Sequence, residues 1–355
     1  MDDSQPTQRP GLSVSGLVAA LLVMFALWVL YWRFSGDAAP DWEGYGRLYD
    51  NEGGWLLKKG RDPGFVWLIS QARAIFGHDN YAEFRFSLFC VFTVFAAWLA
   101  ARMPEQDAVR PITSLVTALI VVLAFLLKGL AQIREGIALL FIVAPAVTIF
   151  RDQRGGIFRS GVGIVVAAVI HAGTVFLSGA WLAAVGIWLL PNRIVSGVAL
   201  QRILLALSVL VGVILGLTVL RNINDVNFLL QDFGANRWAS AQSGLWKYLY
   251  WIANAAFVIL VRHQLLASVK SAPKFAFAYA TAIGTILLPV IYSVCLVLVV
   301  TNFPIAAVTS MAMRVLFTAI ELALVIIALR GRADLGTAAL AIAMLADRAR
   351  LLAIP

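Results

Sequence analysis

Long apolar runs, each close to the length of a membrane crossing, alternate along this chain with short polar breaks. A transmembrane helix needs about 20 predominantly apolar residues, and its backbone must be hydrogen-bonded internally because lipid offers no partners. The apolar region 160–190 is too long for one crossing and fits two short helices that meet near residues 173–179. With that pair, the pattern predicts about ten transmembrane helices, near residues 14–34, 84–101, 112–127, 136–150, 160–190 (two), 203–220, 246–261, 275–300 and 313–329.

The composition supports a helical membrane protein. Apolar residues make up 61% of the 355 residues and charged residues only 13%, whereas soluble domains average about half and about a quarter. The apolar run 115–127, in which Thr117 is the one polar residue, argues against a membrane barrel, whose strands alternate apolar and polar positions. We therefore expect one all-α polytopic integral membrane domain covering residues 1–355.

Lysine and arginine predict the orientation of the helices. They concentrate in four short connections, residues 151–159, 193–202, 262–274 and 330–332, which the positive-inside rule makes cytoplasmic. Residues 1–13 then form a cytoplasmic tail, and residues 330–355 a cytoplasmic or interfacial one. Counting crossings outward places four other segments together on the outer side, residues 128–135, 173–179, 221–245 and 301–312.

The same count makes residues 35–83 an external loop. Trp42, Tyr45 and Tyr49 occur there at helical spacing with charged residues between them, which predicts an amphipathic helix in the membrane interface. The apolar stretch 63–77 is shorter than a usual span. We expect it to form an interfacial or re-entrant helix on the outer side.

Charged residues at membrane depth are costly and are therefore functional candidates. Lys128, Gln132 and Arg134 crowd the predicted outer turn at the start of a helix, where an anion would bind well, with Glu135 beside them. The alternative is that Lys128 and Arg134 reach lipid head groups and that Glu135 pairs with one of them.

Further candidates lie elsewhere on the predicted outer side. His171 is the one ionisable residue in an apolar segment, a position that also suits a helix-to-helix hydrogen bond. Asp41 and Asp62 belong to the external loop, where carboxylates are often only solvated. Arg314 and Arg237 are possible ligands, although Arg314 can serve assembly and Arg237 can be an ordinary loop arginine.

Several function classes find no support in the sequence. There is no P-loop, and the short basic connections contain no tract that would grip nucleic acid. Three histidines and two cysteines, widely spaced, do not suggest a zinc site. No metal and no cofactor is expected.

The run Gln132-Ile-Arg-Glu-Gly-Ile-Ala138, followed by Val169-Ile-His171, resembles the EpsG family of exopolysaccharide polymerases, which is related to the Wzy O-antigen polymerases. That family typically shows an Arg-Gln-Gly turn, a later apolar-His helix, and an external loop with Asp, spaced tyrosines and Glu-Pro-Gly-Phe. The loop residues Asp41 and Tyr45 and the element Asp62-Pro-Gly-Phe65 are similar to that loop. The resemblance covers the first half of the chain.

Two departures accompany the resemblance. Asp62 stands where the family usually has Glu, which shortens the carboxylate by one methylene. Glu135 stands where the family usually has Gln, which adds a negative charge beside Arg134 and would weaken an anion site there.

The resemblance implies a GT-C-like glycosyltransferase fold and an enzyme that polymerises lipid-linked oligosaccharide repeat units of the exopolysaccharide or O-antigen type. It implies a multi-pass protein of the bacterial inner membrane, acting at the outer face on an undecaprenyl-pyrophosphate-linked substrate. A flippase and a chain-length regulator are the implied partners. Two alternatives stay open: a GT-C glycosyltransferase that uses a polyprenyl-phosphate sugar, and a lipid-linked oligosaccharide flippase or another transporter.

Roles for the candidate residues follow from this chemistry. Departure of a diphosphate calls for cations, for which Arg134 is the first candidate, with Lys128, Arg314 or Arg237; Tyr45 and Gln132 are further substrate contacts. Activation of the acceptor hydroxyl calls for a base. Asp41 is preferred over Asp62, and His171 is expected to orient substrate or stabilise charge.

Overall fold

A computed structural model describes residues 40–58, 60–100, 111–149, 153–195, 197–222, 245–301 and 305–353, together with the isolated positions 21, 24, 25 and 28. Within these ranges the chain forms helices and the turns between them, and no described residue lies in a β-strand. The helices are α1 Pro40–Asp50, α2 Gly54–Lys58, α3 Pro63–Phe76, α4 Tyr81–Ala100, α5 Pro111–Ala131, α6 Ile133–Ile149, α7 Gln153–Ile170, α8 Phe176–Leu189, α9 Asn192–Val195, α10 Val198–Arg221, α11 Leu245–Ser268, α12 Lys274–Ala282, α13 Leu288–Val300, α14 Ile305–Leu329 and α15 Leu335–Ala353.

Several of these helices have the length and composition of membrane spans, which supports an all-α membrane protein. Five stretches in the described ranges are long and apolar enough to cross a bilayer: Tyr81–Leu99, Ala172–Leu189, Val198–Arg221, Tyr248–Ser268 and Lys274–Val300. Four apolar helices are shorter: Ile112–Ala124, Gly155–Ile170, Val315–Leu329 and Leu335–Ala346. The expected total of about ten spans stays a prediction, and the first expected span, residues 14–34, lies outside the described residues apart from four isolated positions.

Two helix breaks position the site. Helix α5 ends at Ala131 and α6 begins at Ile133, so the break falls at Gln132, inside the predicted outer turn. Helix α7 ends at Ile170, and a 3₁₀ turn Ala172–Thr174 connects it to α8. The second break comes just before the region 173–179 in which two short helices were expected to meet.

A π-helical turn lies within the span expected near residues 275–300, where Lys274–Val300 is one apolar stretch long enough to cross a bilayer. The turn Ile283–Leu287 separates α12 from α13, and Pro289 follows it in the first turn of α13. Proline has no N–H and its ring excludes the carbonyl four residues earlier, so the preceding turn widens. Hydrophobicity gives no sign of this irregularity.

The carboxy-terminal tail forms an ordered helix. Helix α15 packs against α5, with Leu340, Ala341 and Met344 buried in the common core. Its start is tied down by Asp334, whose carboxylate accepts a hydrogen bond from the Thr337 amide at 2.8 Å and another from Gln264 of α11.

Helices α1 and α3 form a tight unit within the predicted external loop. Arg73, near the end of α3, donates to the carbonyl oxygens of Tyr49 at 2.6 Å and Asp50 at 2.5 Å, the last residues of α1. Tyr45 and Tyr49 are buried in the protein, with exposed fractions of 8% and 0%. The spacing predicted the α1 helix, but these two aromatic rings serve the protein core rather than facing lipid.

Candidate functional site

The carboxylate of Asp62 joins three segments of the chain. Its Oδ2 atom lies 2.5 Å from Nη1 of Arg134, at the start of α6, and 3.6 Å from Nδ1 of His171, directly after α7. Its Oδ1 atom accepts a hydrogen bond of 2.8 Å from the backbone N–H of Ala172. Only 4% of the Asp62 side chain is exposed. Three of the predicted site residues are thus brought to one place.

The residues after Asp62 explain how its carboxylate reaches this position. Pro63 begins α3 and provides the fixed φ that a first helical turn favours. A Cβ on Gly64 would lie 2.9 Å from Cγ1 and 3.1 Å from the carbonyl oxygen of Val169, so glycine lets α3 start against the end of α7. Phe65 is 1% exposed and its ring packs edge-on to Tyr45, which anchors α3.

Asp62 itself adopts a backbone conformation that most residues avoid. Its φ of 49° and ψ of 53° are in the left-handed region, which aspartate tolerates better than most residues other than glycine and asparagine. Such a conformation persists only where the surrounding contacts hold it. Here the ion pair with Arg134 and the bond from Ala172 do so.

Arg134 is held from two sides. Its guanidinium forms an ion pair with the Asp62 carboxylate and also lies over the ring of Tyr45, 5.8 Å from the ring centre. A cation over an aromatic face in a desolvated setting is favourable, and the ring also limits where the guanidinium can move. The side chain keeps 18% of its surface exposed.

His171 is placed by the break between α7 and α8. Its amide still bonds the Ala167 carbonyl, but its φ of −144° and ψ of 105° are extended, so the helix ends there. The imidazole turns back over Gly173, where a Cβ would lie only 2.6 Å from Nε2. With 22% of its side chain exposed, His171 is more accessible than Asp62.

The surroundings keep Asp62 ionised. Burial by itself would raise the pKa of this carboxyl group, but His171, the Ala172 N–H and the positive charge of Arg134 outweigh burial, and the pKa of Asp62 is lowered. The Ala172 N–H also belongs to the first turn leading into α8, where helix dipoles favour negative charge. The site is therefore a buried ion pair at a helix break, with a histidine at its edge.

The other predicted residues are placed differently. Gln132 is half-buried at the helix break, and its Oε1 atom has no hydrogen-bond partner among the described residues. Glu135 is buried, and its Oε1 accepts a 2.9 Å hydrogen bond from Thr318 of α14, so this extra charge is used in helix packing. Arg237 and the side chains of Asp41, Lys128 and Arg314 lie outside the described residues.

Three parts of this arrangement were not foreseen: the Ala172 amide as a donor, the stacking of Tyr45 on Arg134, and the contact of Gly64 with α7. The element Asp62-Pro-Gly-Phe65 could have predicted the contact of Gly64 with α7. Proline favours the first turn of a helix, and glycine at that turn allows another segment to pack closely against it. The hydrogen bond from the Ala172 N–H could not have been predicted from the pattern of side chains, because a backbone amide donates whatever its side chain is. No group of three or more His, Cys, Asp or Glu that could hold a metal ion occurs in the described part of the chain.

Comparison with protein-family models supports the resemblance found in the sequence. The family model of the EpsG family matches residues 17–331, which include Asp62, Arg134 and His171. No curated protein and no solved structure matches the chain.

Proposed function

This chain belongs to the EpsG family, and we propose that it polymerises lipid-linked oligosaccharide repeat units, of the exopolysaccharide or O-antigen type, at the outer face of the bacterial inner membrane. The family itself indicates a polysaccharide polymerase with glycosyltransferase-type activity. The observation that supports the finer proposal is the meeting of Asp62, Arg134 and His171 at one helix break, because the proposed chemistry needs a cation for the diphosphate and a proton acceptor close to each other.

The proposed reaction is a single displacement at a sugar carbon. A hydroxyl oxygen of the acceptor saccharide attacks the anomeric carbon of the donor, and the bond from that carbon to the pyrophosphate oxygen breaks. Polyprenyl pyrophosphate leaves with the bonding electrons, and the hydroxyl proton passes to a base. The enzyme must therefore stabilise the departing diphosphate and accept one proton.

Arg134 is proposed to bind the diphosphate. A guanidinium carries five N–H donors in a planar fork that matches phosphate oxygens, so a bond to Asp62 through Nη1 does not exhaust its capacity. Lys128, Arg314 and Arg237 remain proposed additional cations. Tyr45 holds the guanidinium, and Gln132 is a proposed contact to the sugar or diphosphate.

Asp62 suits a positioning role better than the role of base. Both of its oxygen atoms already accept hydrogen bonds, and its lowered pKa makes it a weak proton acceptor. It orients Arg134 and the His171 ring, as carboxylates do for histidines in many active sites. Asp41 remains the first candidate for the base, with His171 as the alternative, since His171 lies at the accessible edge of the site.

An assay with purified protein in liposomes tests the proposal. The liposomes contain a lipid-linked oligosaccharide repeat unit, and products are resolved by size. A ladder of added repeat units supports the polymerase. Addition of one sugar from a polyprenyl-phosphate donor would indicate a GT-C glycosyltransferase, and transbilayer movement without covalent change would indicate a flippase.

The remaining parts of the proposal concern fold and partners. A GT-C-like arrangement, in which an external loop carries an acidic residue beside membrane-surface helices, fits the placement of Asp62 between α2 and α3. A flippase that delivers the substrate and a regulator of chain length are the proposed partners. Co-purification of either with the intact protein is the direct measurement.

A further inference from the structure

A second cluster of polar contacts lies at the end of α3 that is far from the candidate site. The side chain of Arg73 is 11% exposed there, and its Nη1 atom donates hydrogen bonds to the carbonyl oxygens of Tyr49 at 2.6 Å and Asp50 at 2.5 Å. These are the last carbonyl groups of α1, at the negative end of the helix dipole. Arg73 therefore joins the end of α1 to the end of α3.

His78, two residues after α3, contacts the opposite edge of the Arg73 guanidinium. Its Nδ1 atom accepts a hydrogen bond of 3.1 Å from Nε of Arg73 and is also in contact with Nη2. A ring nitrogen that accepts a hydrogen bond carries no proton, so the imidazole is neutral here, with its proton on Nε2. Glu52 lies 3.7 Å from Nη2 but is 65% exposed, and an ion pair in water contributes little. The contact between Arg73 and His78 thus requires the uncharged ring.

Protonation of His78 would break this contact, because it removes the acceptor and places a second positive charge against the guanidinium. Histidine is the side chain that changes its charge between about pH 5 and pH 8. The other charged groups on the elements that meet here are Asp50 and Glu52 at and after the end of α1, Asp79 beside His78, and Glu83 and Arg85 in the first two turns of α4. The carboxylates favour a protonated ring and Arg85 opposes it. Arg73 is in direct contact with the ring, and its repulsion is the strongest because Coulomb energy falls with distance.

Helix α1 connects this pair to the candidate site. Tyr45 lies one turn before Tyr49, and its ring packs edge-on to Phe65 and covers the guanidinium of Arg134. Tyr45 precedes the end of α1 by five residues, a rise of about 7.5 Å. The hydroxyl of Tyr49 donates to the Gly77 carbonyl at 2.8 Å, which adds a second link between the same two helix ends. A shift of the α1 end would therefore move the ring that limits the position of Arg134.

We propose that Arg73 and His78 form a clamp of two positioning residues, which holds α1 so that Tyr45 keeps Arg134 in place for its ligand, and that protonation of His78 opens the clamp. The inference rests on the proposed function in taking the ligand at Arg134 to be a diphosphate. It adds a dependence on the pH of the outer compartment, because both clamp residues belong to the predicted external loop.

Substitutions of His78 in the full-length protein test the clamp. His78→Asn keeps an acceptor near the place of Nδ1 but gains no proton, and His78→Ala removes the acceptor. His263→Asn is the matched control, because His263 is also exposed but lies on α11. Affinity for undecaprenyl pyrophosphate in nanodiscs and the unfolding temperature are measured at pH 7.5 and pH 5.5. Protonation of His171 and of the probe is common to all these proteins, so the comparison between them isolates His78.

We expect the affinity of the wild type and of His263→Asn to fall at least fivefold more between pH 7.5 and pH 5.5 than the affinity of His78→Asn. His78→Ala should bind the probe weakly at both pH values. Equal pH dependence in the wild type and His78→Asn would overturn the inference. Wild-type affinity in His78→Ala together with a lower unfolding temperature would also overturn it, since that result indicates a role in stability alone.

Hydrogen exchange of the α1 amides separates this inference from the proposed function. The rates are corrected for the intrinsic dependence of exchange on pH. Loss of protection at pH 5.5 in the wild type but not in His78→Asn would support the clamp even if the wild type makes no polymer, in which case the proposed function alone fails. Equal protection of α1 in both proteins at both pH values would overturn the clamp, whatever the polymer assay gives.

Discussion

The candidate site depends on the carboxylate of Asp62. It bonds the side chain of Arg134 and the amide of Ala172, and it lies within ion-pair distance of His171. Its left-handed backbone conformation favours aspartate over the longer glutamate, which has less tolerance for positive φ. The departure from the Glu that is usual in the family thus fits the local geometry of this chain.

Substitution of Arg134 distinguishes diphosphate binding from a general positive charge. Arg134→Lys should lower polymer formation nearly as much as Arg134→Ala, by at least a hundredfold, because lysine supplies charge without the planar fork. Protein level in the membrane is the control, since loss of the Asp62 pair also affects folding. Near-normal polymer formation by the lysine variant would indicate that Arg134 supplies only a positive charge at the membrane interface and does not bind the diphosphate.

Three amide substitutions locate the proton acceptor. If Asp41 is the base, Asp41→Asn should abolish chain lengthening and leave binding of the lipid-linked donor intact. Asp62→Asn should lower both activity and donor binding, because it releases Arg134. Normal activity in both of these variants would exclude a carboxylate base at either position, and His171→Gln should then be the inactive variant.

The stability that Asp62 contributes should depend on pH. Its pKa is lowered from the ordinary value of 3.8, so the folded protein binds the proton more weakly than the unfolded chain. The contribution is present above about pH 4 and is lost as pH falls through the lower folded-state pKa. Thermal unfolding in detergent should show Asp62→Asn below the wild type by several degrees at pH 7, with the difference shrinking at pH 3; a constant difference would contradict the ion pair.

At the scale of the helices, close approach at glycines decides how the site is assembled. Gly64 allows α3 to begin against the carbonyl end of α7, and this contact brings Asp62 to His171. Gly163 plays the same role within the bundle, since a Cβ there would clash with the Phe141 carbonyl oxygen of α6. These glycines serve helix packing, as small residues do in membrane proteins.

Gly64→Ala should separate α3 from α7 and impair activity. The added methyl group meets Val169, and overpacking of this kind costs about 1–3 kcal/mol, against roughly 0.5–1 kcal/mol gained by removing a helical glycine. Gly186→Ala in α8 is the matched control, because no atom lies within 4 Å of its added Cβ. Polymer formation and unfolding temperature should fall in the first variant and not in the second.

At the scale of the whole molecule, the site is consistent with the predicted topology. Asp62, Arg134 and His171 come from three segments that the positive-inside rule placed on the same side of the membrane. If the predicted number of crossings between two of these segments were wrong by an odd number, their residues would lie on opposite sides of the membrane. Helix α3, with 14 residues and a length of about 21 Å, is also shorter than the hydrocarbon core.

Cysteine labelling tests that topology directly. Lys58→Cys, Gln153→Cys and Lys270→Cys are each introduced after Cys90 and Cys295 are replaced by alanine. A membrane-impermeant thiol reagent on intact spheroplasts should label only Lys58→Cys, and permeabilisation should expose the other two. Labelling of Gln153→Cys in sealed spheroplasts would mean that the orientation in the membrane is the reverse of the predicted one.

Local sequence is enough to establish the all-α class and to mark two of the helix breaks. Apolar runs of fixed length require internally bonded helices in lipid, so the all-α class and the breaks near Gln132 and His171 follow from local composition. The motif residues also marked Asp62, Arg134 and His171 as candidates. The π-turn before Pro289 and the order of the carboxy-terminal helix escaped this reasoning, since both depend on how neighbouring helices pack.

Which of the candidate residues meet depends on contacts between helices that are distant in sequence. Asp62 bonds Arg134 across 72 residues and Ala172 across 110, and Glu135 bonds Thr318 across 183. Periodicity along one helix carries no information about the partner on another, and the hydrogen bonds of a buried charge are satisfied by whatever group the packing brings near. For that reason Glu135, expected beside the site as a competing charge, also accepts a hydrogen bond from Thr318 of α14, and Asp62 contacts Arg134, Ala172 and His171.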